Sequence, residues 1–318
     1  MASGPESQAR APGVTEVEQL RRAVTEVVHG KDDVVELALT TVIARGHLLL
    51  QDVPGVGKTT LAAALAQALG GQFSRIQFTS DLLPADITGG NVLDSRTGDF
   101  AFRPGPIFAK VVLADEINRT TPRTQSALFE AMSEGQVTVD GRTHSLPVPF
   151  MVVATQNPFD VQGTYLLPDS QLDRFLMRLD LGYPALEDER AVLRSHGSGQ
   201  KHARTVASPE ALAELCAQAE TVAVAEEVES YLLRLVRMTR EDGRLLRGVS
   251  TRGALALLRA ARALAFVRGR AFVVPEDVIE LAVPVLGHRV LVRQGLTHRE
   301  HGGPEAIRAL LAELPAPG

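Results

Sequence analysis

The chain has 318 residues, 45% of them hydrophobic and 22% charged, with a formal net charge of −5. This composition excludes a disordered polymer and gives the whole molecule no electrostatic reason to seek DNA or an anionic membrane. The single cysteine, Cys216, excludes an intramolecular disulfide and a thiolate metal cluster, and no apolar run approaches the ~18 residues of a membrane span.

Residues 1–13 are rich in Ser, Gly, Pro and Ala and lack an apolar period, which predicts a disordered arm. They also lack a charged-then-apolar signal pattern, so a cytoplasmic protein is expected. Apolar residues at 17, 20, 24, 27 and 28 predict a first helix. A second is expected over residues 32–44. The intervening Val28, His29 and Gly30 precede a phosphate-binding strand and are candidates to pack against an adenine.

The stretch His47-Leu-Leu-Leu-Gln51, then Asp52-Val53-Pro54-Gly55-Val56-Gly57-Lys58-Thr59-Thr60, then an Ala/Leu-rich segment to Leu69, predicts strand, glycine turn and helix. At such a helix start the first N–H groups have no intrahelical partner and the dipole is positive, so the main chain holds an anion. Gly55 and Gly57 permit close approach of phosphates, Lys58 supplies a mobile charge, and the Thr59 hydroxyl is placed for Mg²⁺. This is a Walker A loop in which Asp52 stands where glycine is usual. Only four lysines occur in the chain, at 31, 58, 110 and 201, against 29 arginines. A lysine nevertheless stands where a compact ammonium suits phosphate.

Residues 73–78 alternate like a strand, and a hairpin is expected with 91–94 and 100–103 flanking a turn at 95–98. Residues 108–110 lead the chain back to the sheet. Residues 111–116 read as a buried strand ending in Asp115 and Glu116, placed at the sheet edge that carries the phosphate loop. A metal ligand and a water-activating group are what such a loop needs for turnover, which assigns Asp115 to Mg²⁺ and Glu116 to the general base. A helix follows over 121–133, a hairpin over 135–148 with the turn Asp140-Gly141, a strand over 150–157, and a last strand within 172–181. Strands alternating with helices over about 170 residues predict a three-layer parallel α/β domain.

The pattern changes near Tyr183-Pro184. From Glu187 onward it is almost wholly helical, with helices expected at 209, 225–241, 251–267 and 275–286 and a short capping helix at 303–313. Residues 197–201 read as a loop. Residues 228–293 hold twelve arginines and no lysine against six acidic residues, which fits solvated helix faces or a surface meeting an acidic neighbour. His298 and His301 form the one close histidine pair, a poor metal site without ordered carboxylates.

The run 115–132, Asp-Glu-Ile-Asn-Arg-Thr-Thr-Pro-Arg-Thr-Gln-Ser-Ala-Leu-Phe-Glu-Ala-Met, makes a resemblance specific. With Gln51 to Thr59, Ala154-Thr-Gln-Asn-Pro158 and Leu167-Pro-Asp-Ser-Gln-Leu-Asp-Arg-Phe175, the chain resembles the MoxR family of AAA+ ATPases over residues 15–295. The resemblance implies a P-loop AAA+ αβα domain over 14–184, an all-α lid domain over 185–318, ATP or ADP with Mg²⁺ as ligands, and a homo-oligomeric, hexameric ring. It assigns Asn157 to the sensor-1 position, Arg174 to an arginine finger reaching the neighbouring subunit's ATP, and Arg252 to the sensor-2 position at the start of a lid helix. It also implies an insert at 83–106 and the hairpin before sensor 1. Family members resemble chaperones of other protein complexes, commonly with a partner carrying a von Willebrand factor A domain.

Three rivals use the same ATP site. A nucleic-acid motor usually has basic hairpin tips, whereas residues 134–144 carry Glu134, Asp140 and Arg142 and no lysine. A metal-chelatase motor subunit differs only in its partner, and a nucleotide-gated scaffold only in turnover.

Overall fold

The computed structural model of the chain describes residues 13–93, 95, 96, 98–157, 163–195, 202–293 and 302–315. Of the expected arm at 1–13 only Gly13 is described, its carbonyl accepting from Val17 N–H; its other residues, the loop at 197–201 and the pair His298 and His301 lie outside the described residues. The chain divides into two compact units, one formed by Leu20–Ala213 and the other by the residues up to Gln19 together with Glu214–Gly318.

In the first unit, helix α2 (Asp32–Ile43) leads into β1 (Leu48–Gln51), which passes through the glycine loop into α3 (Lys58–Ala68). It follows α1 (Val14–Thr25), whose later residues from Leu20 belong to the same unit. Next come β2 (Phe73–Gln77), the short α4 (Pro84–Thr88) and the hairpin β3 (Gly89–Leu93) with β4 (Phe100–Pro104). A 3₁₀ turn, Pro106–Phe108, then replaces the expected direct return to the sheet, because Pro106 opens a turn that buries Ile107. Strand β5 (Val111–Asp115), α5 (Pro122–Glu134), the hairpin β6 (Gln136–Val139) with β7 (Arg142–Ser145), β8 (Met151–Gln156), α6 (Asp169–Leu172), β9 (Met177–Leu179) and α7 (Leu186–Ser195) follow.

Five strands form one parallel sheet in the order β2-β5-β8-β1-β9. Parallel strands covered on both faces read as continuous apolar runs, and β1, β5 and β8 are buried at every position. Successive side chains point to opposite faces. One face, with Leu49, Ile76, Val112, Ala114, Val152 and Ala154, packs with Leu128, Phe129 and Met132 of α5. Helix α3, with Leu61 and Leu65 fully buried, packs on β5 and β2.

The two hairpins stand beside each other. Phe102 of β4 stacks on His144 of β7 at 3.8 Å, and the Asn91 amide donates to Asp140 at 2.7 Å. Asp140 and Gly141 both take positive φ, 49° and 75°, as a two-residue hairpin turn requires.

The compact unit continues past Pro184. Val206 N–H donates to the Ala68 carbonyl at the end of α3 (2.9 Å), and Ala203 N–H donates to the Gln67 side chain (2.8 Å). These bonds tie residues 202–207 to the sheet domain.

The second unit contains most of α8 (Pro209–Glu220), then α9 (Glu226–Glu241), α10 (Thr251–Val267), α11 (Pro275–Leu286) and α12 (Gly302–Glu313). Helices α9, α11 and α12 pack on one another, and α10 packs on both α9 and α11. A small antiparallel ribbon, β10 (Leu245–Arg247) with β11 (Leu291–Val292), accompanies the expected helices. Runs of three and two residues are too short to leave a period in the sequence. Cys216 is buried, as expected of an inert thiol.

Candidate functional site

The C-terminal edge of the sheet carries the site. Leaving β1, Asp52 donates its N–H to the Gln156 carbonyl of β8 at 3.1 Å. Its carboxylate accepts from Val53 N–H (2.7 Å) through Oδ1 and from Gly182 N–H (2.6 Å) through Oδ2. The residue that departs from the usual glycine thus moors the loop to the chain beyond β9. Its side chain faces the protein, not a ligand.

Gly55 and Gly57 have φ of 87° and 99°, a region that L side chains rarely adopt. A Cβ built at either would meet nothing within 4 Å. The glycines are therefore required by backbone torsion and leave open room above the loop. Gly57 caps α3 without a side chain, and its carbonyl accepts from Leu61 N–H. The N–H groups of the first turn are then left for an anion.

Lys58 Nζ donates to the Asp52 carbonyl at 2.7 Å. Burial holds the Lys58 pKa below the ordinary lysine value, opposed by the charges of Asp115, Asp52 and Glu116. A bound phosphate would add a counter-charge that favours the ammonium.

A cleft of about 390 Å³ is lined by Pro54, Gly55, Gly57, Lys58, Thr59, Thr60, Arg75, Gln77, Asp115 and Glu116. Val53 and Val56 belong to the loop but not to this lining. Asp115 ends β5, with Oδ1 accepting from the Thr155 hydroxyl (2.6 Å) and Oδ2 from Arg75 Nη2 (2.6 Å) and Nε (3.2 Å).

Glu116 lies one residue past the strand, with φ 56° and ψ 49°, a left-handed conformation uncommon outside glycine. Its N–H donates to Thr155 Oγ1 (2.9 Å), so one hydroxyl fixes both carboxylate positions. The Glu116 side chain accepts from Gln77 Nε2 (3.0 Å) and pairs with Arg119 Nε (3.1 Å). Strain of this kind collects where a side chain must be aimed.

The cradle fits a nucleoside phosphate: glycines with open space, free first-turn N–H groups and a half-buried lysine face one cleft. The cleft also holds the hard oxygen donors, Thr59 and Asp115, that suit Mg²⁺. Among the described residues, no group of three or more His, Cys, Asp or Glu gathers as a protein-only metal site. A cation here would need oxygens from its nucleotide.

The remaining expected residues lie at varying remove. Asn157 directly follows Gln156, the register partner of Gln51, so it leaves the sheet at the same edge as the loop. Arg174 is partly buried between α6 and β9. Its Nη1 donates to the Phe129 carbonyl at 3.0 Å, and its buried Nε has no hydrogen-bond partner. It does not line its own chain's cleft. Arg252 lies in the first turn of α10, in the second unit, where the Ser250 hydroxyl caps the helix by accepting from Gly253 N–H (3.1 Å).

Val28 is buried, and Gly30 has φ 66°. A Cβ on Gly30 would meet the Asp188 carboxylate of α7 at 2.0 Å. Lys31 Nζ donates to the Tyr183 carbonyl (2.8 Å). Val28, His29 and Gly30 thus form a loop held against the chain beyond β9, outside the cleft lining.

Four site residues, Arg75, Gln77, Arg119 and Thr155, were missed by sequence reasoning. Arg75 and Gln77 alternate on one strand face, a visible signal. Only the placement of β2 beside β5 turns it into contact with the two acids.

Comparison with known proteins agrees with this geometry. Residues 47–177 match the family described as "ATPase family associated with various cellular activities (AAA)", and residues 237–309 match an AAA lid domain. The chaperone MoxR1 of Mycobacterium tuberculosis is 42% identical, over 87% of this chain and 77% of that one. The protein MoxR of Paracoccus denitrificans is 32% identical, over 93% and 94%. A crystal structure from Cytophaga hutchinsonii, described as a candidate ATPase, superposes with a TM-score of 0.87 at 35% identity and covers 96% of both chains. With this likeness along nearly its whole length and a P-loop facing paired carboxylates, the chain belongs to the MoxR family of AAA+ ATPases.

Proposed function

We propose that the protein hydrolyses ATP to ADP and phosphate with Mg²⁺, as a ring-forming, chaperone-like factor that acts on another protein complex. One observation carries the reading: Gly55, Gly57, Lys58 and Thr59 share a single cleft with Asp115 and Glu116. The loop N–H groups and Lys58 bind the phosphates, and Thr59 with Asp115 holds the metal. Mg²⁺, when bound, neutralises charge on the phosphate oxygens. Glu116 takes the proton of the attacking water, oriented by Asn157.

Arg174 serves the neighbouring subunit's nucleotide, which accounts for its place away from its own cleft, and the ring is a hexamer. Arg252 reads nucleotide from the lid. Val28, His29 and Gly30 pack against the base. The protein partner carries a von Willebrand factor A domain, and the factor works in the cytoplasm. Relatives named as chaperones support a protein substrate. The β6–β7 hairpin, with Asp140 at its tip and no lysine, argues against nucleic acid. Among the described residues no helix is long and apolar enough to cross a membrane.

The test separates binding from chemistry. Glu116→Gln should keep the parent's affinity for a fluorescent ATP analogue and lower phosphate release by ~10²–10⁴-fold, whereas Lys58→Ala should lose binding. A Glu116→Gln protein that hydrolyses at the parent rate would remove Glu116 from the role of base.

A further inference from the structure

The Mg²⁺ ligand Asp115 is already engaged by a cation of the protein itself. Arg75 reaches across from β2 and places both Nε and Nη2 on Asp115 Oδ2, at 3.2 and 2.6 Å. The other oxygen, Oδ1, is taken by Thr155, whose hydroxyl also receives Glu116 N–H and so is fixed from two sides. The oxygen exposed to exchange is therefore Oδ2.

The two partners of the ion pair are unequal. The Asp115 side chain is 12% exposed and cannot move, being the end of a central strand, whereas the Arg75 side chain is 50% exposed and lines the cleft. A guanidinium and a divalent cation crowded on one carboxylate oxygen repel each other, and an ion pair whose arginine is half exposed is weak enough to give way.

We infer that Arg75 is a tethered counter-cation of Asp115, which it leaves when a divalent metal arrives with nucleotide. The inference rests on the ATPase reading above. Arg75 keeps the carboxylate from standing uncompensated beside Glu116, and it sets a threshold on metal binding. The exchange also reaches the base: Arg75 Nη2 donates to Gln77 Oε1 at 3.1 Å, which turns Gln77 Nε2 toward Glu116. Arg75 is a positioning residue in this account, acting through Asp115.

The measurement is metal affinity, read without turnover. The fluorescence of N-methylanthraniloyl-ATP is titrated with protein in EDTA and at graded free Mg²⁺, to give nucleotide affinity without metal and the Mg²⁺ concentration that half-restores tight binding. Arg75→Gln should lower that Mg²⁺ concentration by roughly three- to fivefold, as expected from removal of a partly exposed ion pair. Its affinity in EDTA should stay near the parent's. Arg75→Lys, which keeps the charge, should remain within about twofold of the parent.

An Arg75→Gln protein with unchanged or weaker Mg²⁺ affinity would overturn the exchange. So would an equal shift in both variants, because charge would not be what competes. Loss of affinity in EDTA would make Arg75 a phosphate ligand and overturn it too. A parent whose nucleotide affinity ignores Mg²⁺ would bring down the metal reading along with the inference, whereas an Mg²⁺-dependent parent matched by Arg75→Gln would bring down the inference alone.

Discussion

Asp115 in the nucleotide unit and Asp277 in the lid unit are both buried and both paired with arginine, but their partners differ in what they leave open. Asp277 sits in the first turn of α11 with no exposed surface. Its two oxygens accept from Arg270 Nη1 (2.7 Å) and Nη2 (2.5 Å), and Oδ2 also accepts from Val274 N–H (3.0 Å), with Arg268 standing 3.7 Å away. Every acceptor is used by groups that are themselves held. Asp115 is buried too, though its side chain keeps 12% exposure, and one of its two partners is a half-exposed arginine that borders a cleft. A buried carboxylate with a closed set of partners is a structural post. One whose partner can leave is a site. Other lid arginines are paired nearer the surface: Arg244 is bound by Asp242 and Glu313, and Arg268 by Glu280. Arg244, Arg268 and Arg270 are thus held by carboxylates of the lid itself.

Arg174 fits neither pattern, and it gives the sharpest way to break the comparison. Its Nη1 is satisfied by the Phe129 carbonyl, while its buried Nε lacks a partner, a cost that a purely structural arginine would not repay. Acting in trans on the transferred phosphoryl group, it would be worth ~10³–10⁵ in rate. Arg174→Ala should therefore bind nucleotide like the parent and lose hydrolysis by that factor in a phosphate-release assay. Mixing it with Lys58→Ala, itself inactive, should return partial activity, because some interfaces then join an intact loop to an intact finger. Normal hydrolysis by Arg174→Ala would reduce Arg174 to a brace for α5.

The two aspartates themselves come next. Asp277→Ala strands Arg270 in a site only 22% exposed, and breaking a buried pair from one side costs about 3–5 kcal/mol. That loss should appear in the unfolding transition of the lid in urea, with nucleotide affinity little changed. Asp115→Asn should do the reverse, holding stability within about 1 kcal/mol while removing the Mg²⁺ dependence of nucleotide binding. Equal destabilisation by both would erase the distinction between post and site.

Much of this was legible in the sequence because it is local. The strand, glycines and Gly57-Lys58-Thr59 run within twelve residues, and their backbone needs alone predict a phosphate cradle. The turn at Asp140-Gly141 is likewise written into neighbouring residues. What was not legible depends on residues far apart in the chain. Arg75 meets Asp115 forty positions later only because β2 lies beside β5. Asp52 reads as a departure from the Walker pattern until its carboxylate is seen to accept from Gly182, 130 positions away. Glu116 reads as the last residue of a strand, yet the chain turns left-handed there, and no period in the sequence announces a single positive φ. The β10–β11 ribbon of the lid is too short for alternation to register.

The smallest effect expected is one of pH, and it belongs to the lysine of the cleft. Burial depresses the Lys58 pKa below the ordinary lysine value of 10.5. A base whose folded-state pKa is lowered disfavours the fold while it is charged. That penalty is present in full below the folded pKa and fades as pH rises through the unfolded value, so this group's contribution to stability increases in the alkaline window. Nucleotide acts oppositely, because phosphate favours the ammonium, so that in the alkaline window where the free lysine loses its proton, binding takes one up. Affinity for an ATP analogue should accordingly begin to fall at a pH below that of an ordinary lysine, by at most about tenfold per unit, while thermal stability without nucleotide does not fall in step. Calorimetric titration in two buffers of different ionisation enthalpy, between neutral pH and the onset of alkaline unfolding, reads the proton uptake directly. Proton uptake that persists in Lys58→Arg, which binds through a permanently charged group, would assign the proton to another residue of the cleft.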